Sequence, residues 1–148
     1  MQINKVAVIG SGVMGAAIAA HVANSGTQVV LLDIVPKDAS DDRSKLAKGA
    51  IERMKKADPA PFTHPRKAKL VTAGNLEDDL ELLSDADWII EAVLEDIDIK
   101  RNLYKTINGV RRPKSVVSSN TSTIPLEDLV DGMPDEFVKH FMITHFFN

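Results

Sequence analysis

Three glycines at fixed spacing, "GSGVMG" (Gly10, Gly12 and Gly15), are the first residues in this chain whose pattern points to chemistry. They follow the apolar run "KVAVI" and open a small-residue segment. In that strand–turn–helix setting the first glycine permits a tight turn, and the second lets backbone approach a pyrophosphate with no Cβ in the way. The third lets helix and strand pack closely. Val13 and Met14 fall in the first turn of the helix, whose free amides face an anion. Asp33 ends the next apolar run, eighteen residues after Gly15, where a carboxylate accepts from both hydroxyls of an adenosine ribose. The same charge repels a 2′-phosphate, and the following "IVPK" has no arginine to receive one, so NAD rather than NADP is expected. The competing explanation is a glycine-rich turn with a helix-capping acid.

Further polar residues stand at the ends of later apolar runs. Glu91 and Glu95 belong to "WIIEAVLE", Ser122 to "SSNTST", and His145 and Asn148 to the closing "ITHFFN". Each has a plain structural reading as well. Glu95 with Lys100 reads as a helix-start acid and a solvated lysine, and "SNTSTIP" as a turn leading into a proline-started helix. His145 between Thr144 and Phe146 reads as a hydrogen-bonded core residue. Their weight comes from convergence, because in open parallel sheets ligands lie beyond the carboxyl ends of the strands.

The elements that must position these groups alternate regularly. Buried strands are expected at Lys5–Gly10, Gln28–Asp33 and Trp88–Val93, whose runs are mostly apolar, and a further strand at Ser115–Ser119. A small-residue helix spans about Val13–Asn24, with Gly26 as its cap. "DASDDRSKLAKGAIERMKK" reads as an amphipathic helix with acids at its start and lysines at its end. "ADPAPFTHP" cannot continue it and forces an extended connector. A short strand near Lys69–Val71, helices near Leu76–Leu83 and Asp98–Ile107, a short helix from Pro125 and a last strand in "KHFMITHFF" complete the pattern. The expected fold class is α/β: a Rossmann-type, doubly wound, mostly parallel sheet with flanking helices, one domain over residues 1–148.

Composition narrows the function classes. The chain has 148 residues, 44% of them hydrophobic, and a net charge of -3. Such a balance offers no electrostatic case for nucleic acid or an anionic membrane as partner. Without cysteine, thiolate chemistry and disulfides are excluded. No apolar run approaches the roughly 20 residues that cross a bilayer. A cytoplasmic location is expected, and no metal ion.

With these residues in place, the sequence resembles the NAD-binding domain of the 3-hydroxyacyl-CoA dehydrogenases of fatty-acid β-oxidation. The stretches that carry the resemblance are "VAVIGSGVMGAAIA", "VVLLD", "IIEAVLEDIDIKRNLY", "SSNTSTIPLEDL" and "THFFN", in family order across nearly the whole chain. The resemblance implies that Ser122 lies near substrate and nicotinamide. It implies that Glu95 and Lys100 lie beside the nicotinamide end of NAD, that His145 is the catalytic histidine, and that Asn148 is a further cofactor contact. Oxidising a secondary alcohol needs a base for the hydroxyl proton, a role imidazole suits, while a serine hydroxyl holds the substrate oxygen and the cofactor carries the hydride. The implied substrate is an acyl-CoA thioester.

The sequence also departs from the family pattern. A helical hairpin usually follows the second strand and helps hold coenzyme A. Here one lysine-bearing helix leads into the proline-rich connector, and Lys55 and Lys56 read as solvated surface residues. The family's glutamate about a dozen residues past the histidine, and its helical second domain, have no counterpart before Asn148. The chain is therefore expected to be part of a longer protein, a homodimer or one fused to an enoyl-CoA hydratase, with poor turnover on its own. A dehydrogenase of a free hydroxy acid or sugar acid, and a non-catalytic NAD-binding module, stay open beside this reading.

Overall fold

Successive residues of the first strand face opposite sides of a sheet, yet the four from Val6 to Ile9 are all apolar. Val6 and Val8 pack into one core, Ala7 and Ile9 into another, and none is more than 1% exposed. A strand covered on both faces is the signature of a parallel sheet between two helical layers. The computed structural model, which describes residues 2–39 and 41–147, has that architecture. Six strands, β1 (Lys5–Ile9), β2 (Gln28–Asp33), β3 (Val71–Asn75), β4 (Trp88–Glu91), β5 (Val116–Ser119) and β6 (Phe141–Ile143), form one all-parallel sheet in the order β3-β2-β1-β4-β5-β6. This is the Rossmann order, with the strand sequence reversing between β1 and β4.

Helices α1 (Val13–Asn24) and α2 (Lys45–Lys56) cover one face. On the other face lie α3 (Ile97–Val110), α4 (Leu126–Val130) and α5 (Asp135–Val138). The small side chains of α1 let it lie close to the sheet, with Ala16, Ala19, Ala20 and Ala23 all buried. The spacing of Leu103, Tyr104 and Ile107 puts them on one face of α3, and burying such side chains favours the docked helix by about 1.5–3 kcal/mol each.

Strands β1, β2 and β4 and helices α1 and α3 stand within a few residues of expectation. Elsewhere local chemistry overrides pattern. The amphipathic helix starts only at Lys45, so the acids ahead of it do not fill its first turn; Asp38 and Asp42 instead pair with Lys45 and Lys48. The strand expected at Lys69–Val71 begins at Val71, because Pro65 starts a 3-10 turn through Leu70 and the His64 ring accepts from the Arg66 amide at 3.1 Å. A helix does not form from Leu76. Asn75 Oδ1 accepts from the Glu77 and Asp78 amides at 3.0 and 2.9 Å, folding the chain into a turn, and only Leu80–Leu83 coils as a 3-10 helix. Helix α5 was not expected from the sequence. Finally, β6 stops at Ile143, two residues before His145, which therefore lies beyond the strand and not in it.

Candidate functional site

Where the strand order reverses, the loops after β1 and β4 diverge and leave a crevice at the carboxyl ends of the strands. A cavity of about 800 Å³ occupies it. Its lining comes from the loops after β1, β2, β4 and β5 and from Leu76 after β3, with one side of α3 as a wall. Five separate stretches of sequence thus meet in one place.

The glycine loop forms the floor. Gly10 has φ +100°, and a Cβ there would stand 2.4 Å from the Ala92 carbonyl oxygen. A Cβ on Gly15 would stand 1.8 Å from the Gly10 carbonyl oxygen, so this glycine sets how closely α1 lies on β1. Gly12 differs from both: nothing lies within 4 Å of its would-be Cβ, and the residue lines the cavity. It is also the N-cap of α1, in extended conformation with no side-chain cap and no acid in the following turn. The first amides of α1 at Val13 and Met14 therefore border open space, the arrangement that receives an anion.

Asp33 stands at one end of the cavity. Its Oδ2 accepts from the Ser11 amide at 2.7 Å and the Ser11 hydroxyl at 2.5 Å, and its Oδ1 accepts from the Ile34 amide at 2.7 Å. Each carboxylate oxygen accepts two hydrogen bonds, so Oδ1 retains capacity for a ligand hydroxyl. From sequence, Asp33 reads as a ribose acceptor or as a helix-capping acid. In the structure it also ties the glycine loop to the end of β2.

The opposite end is built from charges. Glu91, the last residue of β4, is fully buried and accepts four hydrogen bonds. They come from Lys100 Nζ at 2.7 Å, Tyr104 Oη at 2.6 Å, Ser119 Oγ at 2.6 Å and the Val93 amide at 2.9 Å. Burial, with the Glu91 charge beside it, pushes the Tyr104 hydroxyl far above its ordinary value, so it stays a donor. Lys100 also reaches Glu95 Oε2 at 3.1 Å. Glu95 Oε1 accepts from the hydroxyls of Thr121 and of Thr123, the latter at 2.9 Å. Burial alone would raise the Glu95 carboxyl, but the hydrogen bonds from Thr121, Lys100 and Thr123 and the Lys100 charge outweigh it and hold it at about 2. Lys100 lines the cavity, yet it is 1% exposed and its ammonium is committed to the two glutamates. Tyr104 and Ser119 were missed as site residues. The available signal was the spacing of Lys100 and Tyr104, two polar tips four residues apart on the apolar face of α3.

Beyond β6 the chain is pinned by alternate residues. Thr144 Oγ1 donates to Ser118 Oγ at 2.9 Å, and the Phe146 amide donates to Asn120 Oδ1 at 2.8 Å. The Phe146 ring packs on Trp88 with centroids 6.4 Å apart. His145 lies between these anchors and faces outward, its ring 4.7 Å from that of Phe147. The core reading of this histidine does not hold.

Of the residues singled out from sequence, Gly10, Gly12, Val13, Met14, Asp33, Glu95, Lys100 and Ser122 line the one cavity. Gly15 lies buried beneath it, packed against Gly10. His145 is outside the lining, and Asn148 lies outside the described residues. The cradle fits a dinucleotide: a Cβ-free approach at Gly12, open helix amides for a pyrophosphate, and a carboxylate acceptor at the β2 end for a ribose.

Comparison with known proteins agrees with this geometry. Residues 5–148 match the family described as 3-hydroxyacyl-CoA dehydrogenase, NAD binding domain. A Deinococcus radiodurans protein named "Probable 3-hydroxyacyl-CoA dehydrogenase" is 48% identical over 148 residues, which cover all of this chain and 42% of that protein. A Rickettsia felis protein named "Putative fatty acid oxidation complex trifunctional enzyme" is 50% identical over 147 residues, 99% of this chain and 20% of that protein. Among solved structures, the 3-hydroxybutyryl-CoA dehydrogenase of Escherichia coli K12 superposes with a TM-score of 0.81 at 28% identity, over all of this chain and 30% of that one. The chain spans about half or less of the length of the relatives it matches. It belongs to the 3-hydroxyacyl-CoA dehydrogenase family, as the NAD-binding domain.

Proposed function

We propose that this chain is the cofactor-binding part of an enzyme that oxidises (S)-3-hydroxyacyl-CoA thioesters to 3-oxoacyl-CoA in fatty-acid β-oxidation. The supporting observation is the convergence of the glycine loop, Asp33, Glu95 and Ser122 on one cavity, in a chain whose family match runs over residues 5–148. In this reading Gly12 and the first amides of α1 hold the pyrophosphate, and Asp33 takes the ribose of the adenosine. When bound, NAD supplies the acceptor for the hydride that leaves the substrate carbon. Ser122, exposed at the cavity wall, holds the substrate oxygen in line. His145 takes the hydroxyl proton and returns it in the reverse direction. Its exposed position, between segments pinned to β5, leaves it accessible to a substrate bound across the strand ends. Thioester recognition, assembly as a homodimer or with an enoyl-CoA hydratase, and a cytoplasmic location belong to the same proposal.

A dehydrogenase of a free hydroxy acid is the second reading. It is favoured by the region after β2, where one helix gives way to a connector and a 3-10 turn in place of a helical hairpin. The natural full-length protein separates the two when acetoacetyl-CoA and acetoacetate are compared as substrates for reduction by NADH. The thioester is expected to be strongly preferred, and His145→Ala to lower kcat by roughly 10²–10⁴-fold. Equal turnover of the free acid supports the second reading, and unchanged activity in the variant removes His145 from the chemistry. Near-full turnover by the 148 residues alone would contradict the assignment of this chain as the cofactor-binding part.

A further inference from the structure

The two ends of the cavity differ in charge design. At the β2 end, Asp33 is a single carboxylate that pairs with no cationic side chain among the described residues and is held by amides and a hydroxyl. The β4–β5 end contains two carboxylates, Glu91 and Glu95, and one ammonium, Lys100, within 3.1 Å of both. The ammonium lies closer to Glu91, at 2.7 Å, and both of those groups are sealed from solvent, at 1% and 0% side-chain exposure. Glu95 is the member left at the surface of the cavity, its side chain 40% exposed. The cluster as a whole carries one net negative charge, and the residue through which it meets the cavity is the anionic one.

Glu95 is not free to turn away. Thr121 and Thr123, on the loop that also carries Ser122, both donate to its Oε1, and Lys100 holds its Oε2. Three tethers from two different elements fix a carboxylate in the wall, which is more restraint than a helix-start acid needs, since Asp96 already caps α3 by accepting from the Asp98 and Ile99 amides. A dinucleotide with its adenosine ribose on Asp33 and its pyrophosphate on α1 extends its other end towards β4 and β5. That other end is the nicotinamide, and it differs in charge between the two redox forms: the oxidised ring is a cation and the reduced ring is neutral.

We propose that Glu95, tethered by Thr121, Thr123 and Lys100, is a specificity-determining residue that favours the oxidised, cationic dinucleotide over the reduced, neutral one. The inference rests on the assignment of the cavity to NAD. The charge of Glu95 repels the pyrophosphate equally in both forms, so that contribution cancels in the ratio of the two affinities and leaves the ring charge as the difference. Lys100 cannot cancel the effect at the cavity surface, because its own charge is already drawn to the buried Glu91. In a partly solvated wall, one unit charge beside a cation shifts the ratio on the order of tenfold.

The test is a pair of dissociation constants for the whole chain. NADH binding is followed by its fluorescence and NAD by competition against it, for the unaltered chain and for Glu95→Gln. This variant keeps the shape and an acceptor for the threonine hydroxyls. Its ratio of Kd for NAD to Kd for NADH is expected to rise about tenfold, through weaker NAD binding, and Glu95→Asp, which keeps the charge, is expected to restore most of the ratio. A ratio within twofold of the unaltered chain overturns the inference. So does a loss of both forms alike, which a purely structural role in the wall would produce. If the unaltered chain binds neither form, the cofactor assignment itself falls, and this inference with it.

Discussion

Two of the three loop glycines make opposite predictions when each receives a single methyl group. At Gly12 the backbone has φ −65° and a Cβ meets nothing within 4 Å, so Gly12→Ala costs the folded chain no clash. Restricting the unfolded chain stabilises by about 0.4–1 kcal/mol, and the poorer N-cap offsets a similar amount, so the net change is within about 0.5 kcal/mol. The new methyl does, however, project into the cavity where, on the proposed reading, backbone meets the pyrophosphate. An overpacked contact of that kind costs about 1–3 kcal/mol, or roughly 5- to 150-fold in affinity. At Gly15 a Cβ would sit 1.8 Å from the Gly10 carbonyl oxygen and 2.9 Å from its carbon, both backbone atoms that cannot turn aside. Gly15→Ala must push α1 off β1, and the strain, near the upper end of about 1–3 kcal/mol, exceeds the gain of roughly 1 kcal/mol in helix propensity. Urea unfolding and NADH fluorescence titration on both variants give the comparison. The expected result is Gly12→Ala with native stability and weakened NADH, and Gly15→Ala with a stability loss of about 2 kcal/mol. If Gly12→Ala binds NADH within twofold of the unaltered chain, the backbone-approach argument is wrong.

Other outcomes follow from the charged end of the cavity. Glu91→Ala leaves the buried Lys100 ammonium and the Tyr104 hydroxyl without their main acceptor, and urea unfolding should show a loss of about 3–5 kcal/mol; a loss below about 1 kcal/mol would mean the pair is not buried as described. The Glu95 carboxyl is depressed from 4.5 to about 2, so its stabilising contribution is complete above about pH 5 and fades as pH falls from 4.5 towards 2. The difference in urea midpoint between the unaltered chain and Glu95→Gln should therefore be constant from pH 6 to 8 and shrink below pH 4.5, whereas a difference that grows on acidification would reverse the assigned sign. The Asp33 carboxylate predicts at least tenfold tighter binding of NADH than of NADPH, since a 2′-phosphate would face it directly; comparable affinities would remove Asp33 from cofactor choice.

Much of the site can be read from residue order because it depends on local rules. Glycine spacing after an apolar run specifies a turn and a helix start within six residues. An acid at the end of the next buried run is placed by the βαβ unit itself, and β2 ends at Asp33 as expected. Short-range competition was harder to read. The Asn75 side chain folds the next residues into a turn, and Pro65 commits the chain to a 3-10 coil, each overriding a helix or strand pattern of similar strength. The short last strand was harder still, since three residues leave too little periodicity to set an end.

The amino-acid sequence by itself determined the fold class and the glycine loop with its acid at the end of the next strand, because those rest on spacing along the chain and on side-chain type. What only tertiary structure decided is the state of the charged groups. Glu91, Glu95 and Lys100 read in sequence as three ionisable residues near a helix start, and nothing in their order says which is sealed and which faces the cavity. That partition depends on Tyr104, Ser119, Thr121 and Thr123, brought from α3 and the end of β5, whose hydrogen bonds decide where each charge can rest. Ionic interactions depend on distance and on exclusion of water, and both are set by how distant segments pack. His145 makes the same point in the other direction: its sequence neighbours look like core, and only the pinning of Thr144 and Phe146 shows that it is the residue turned outward.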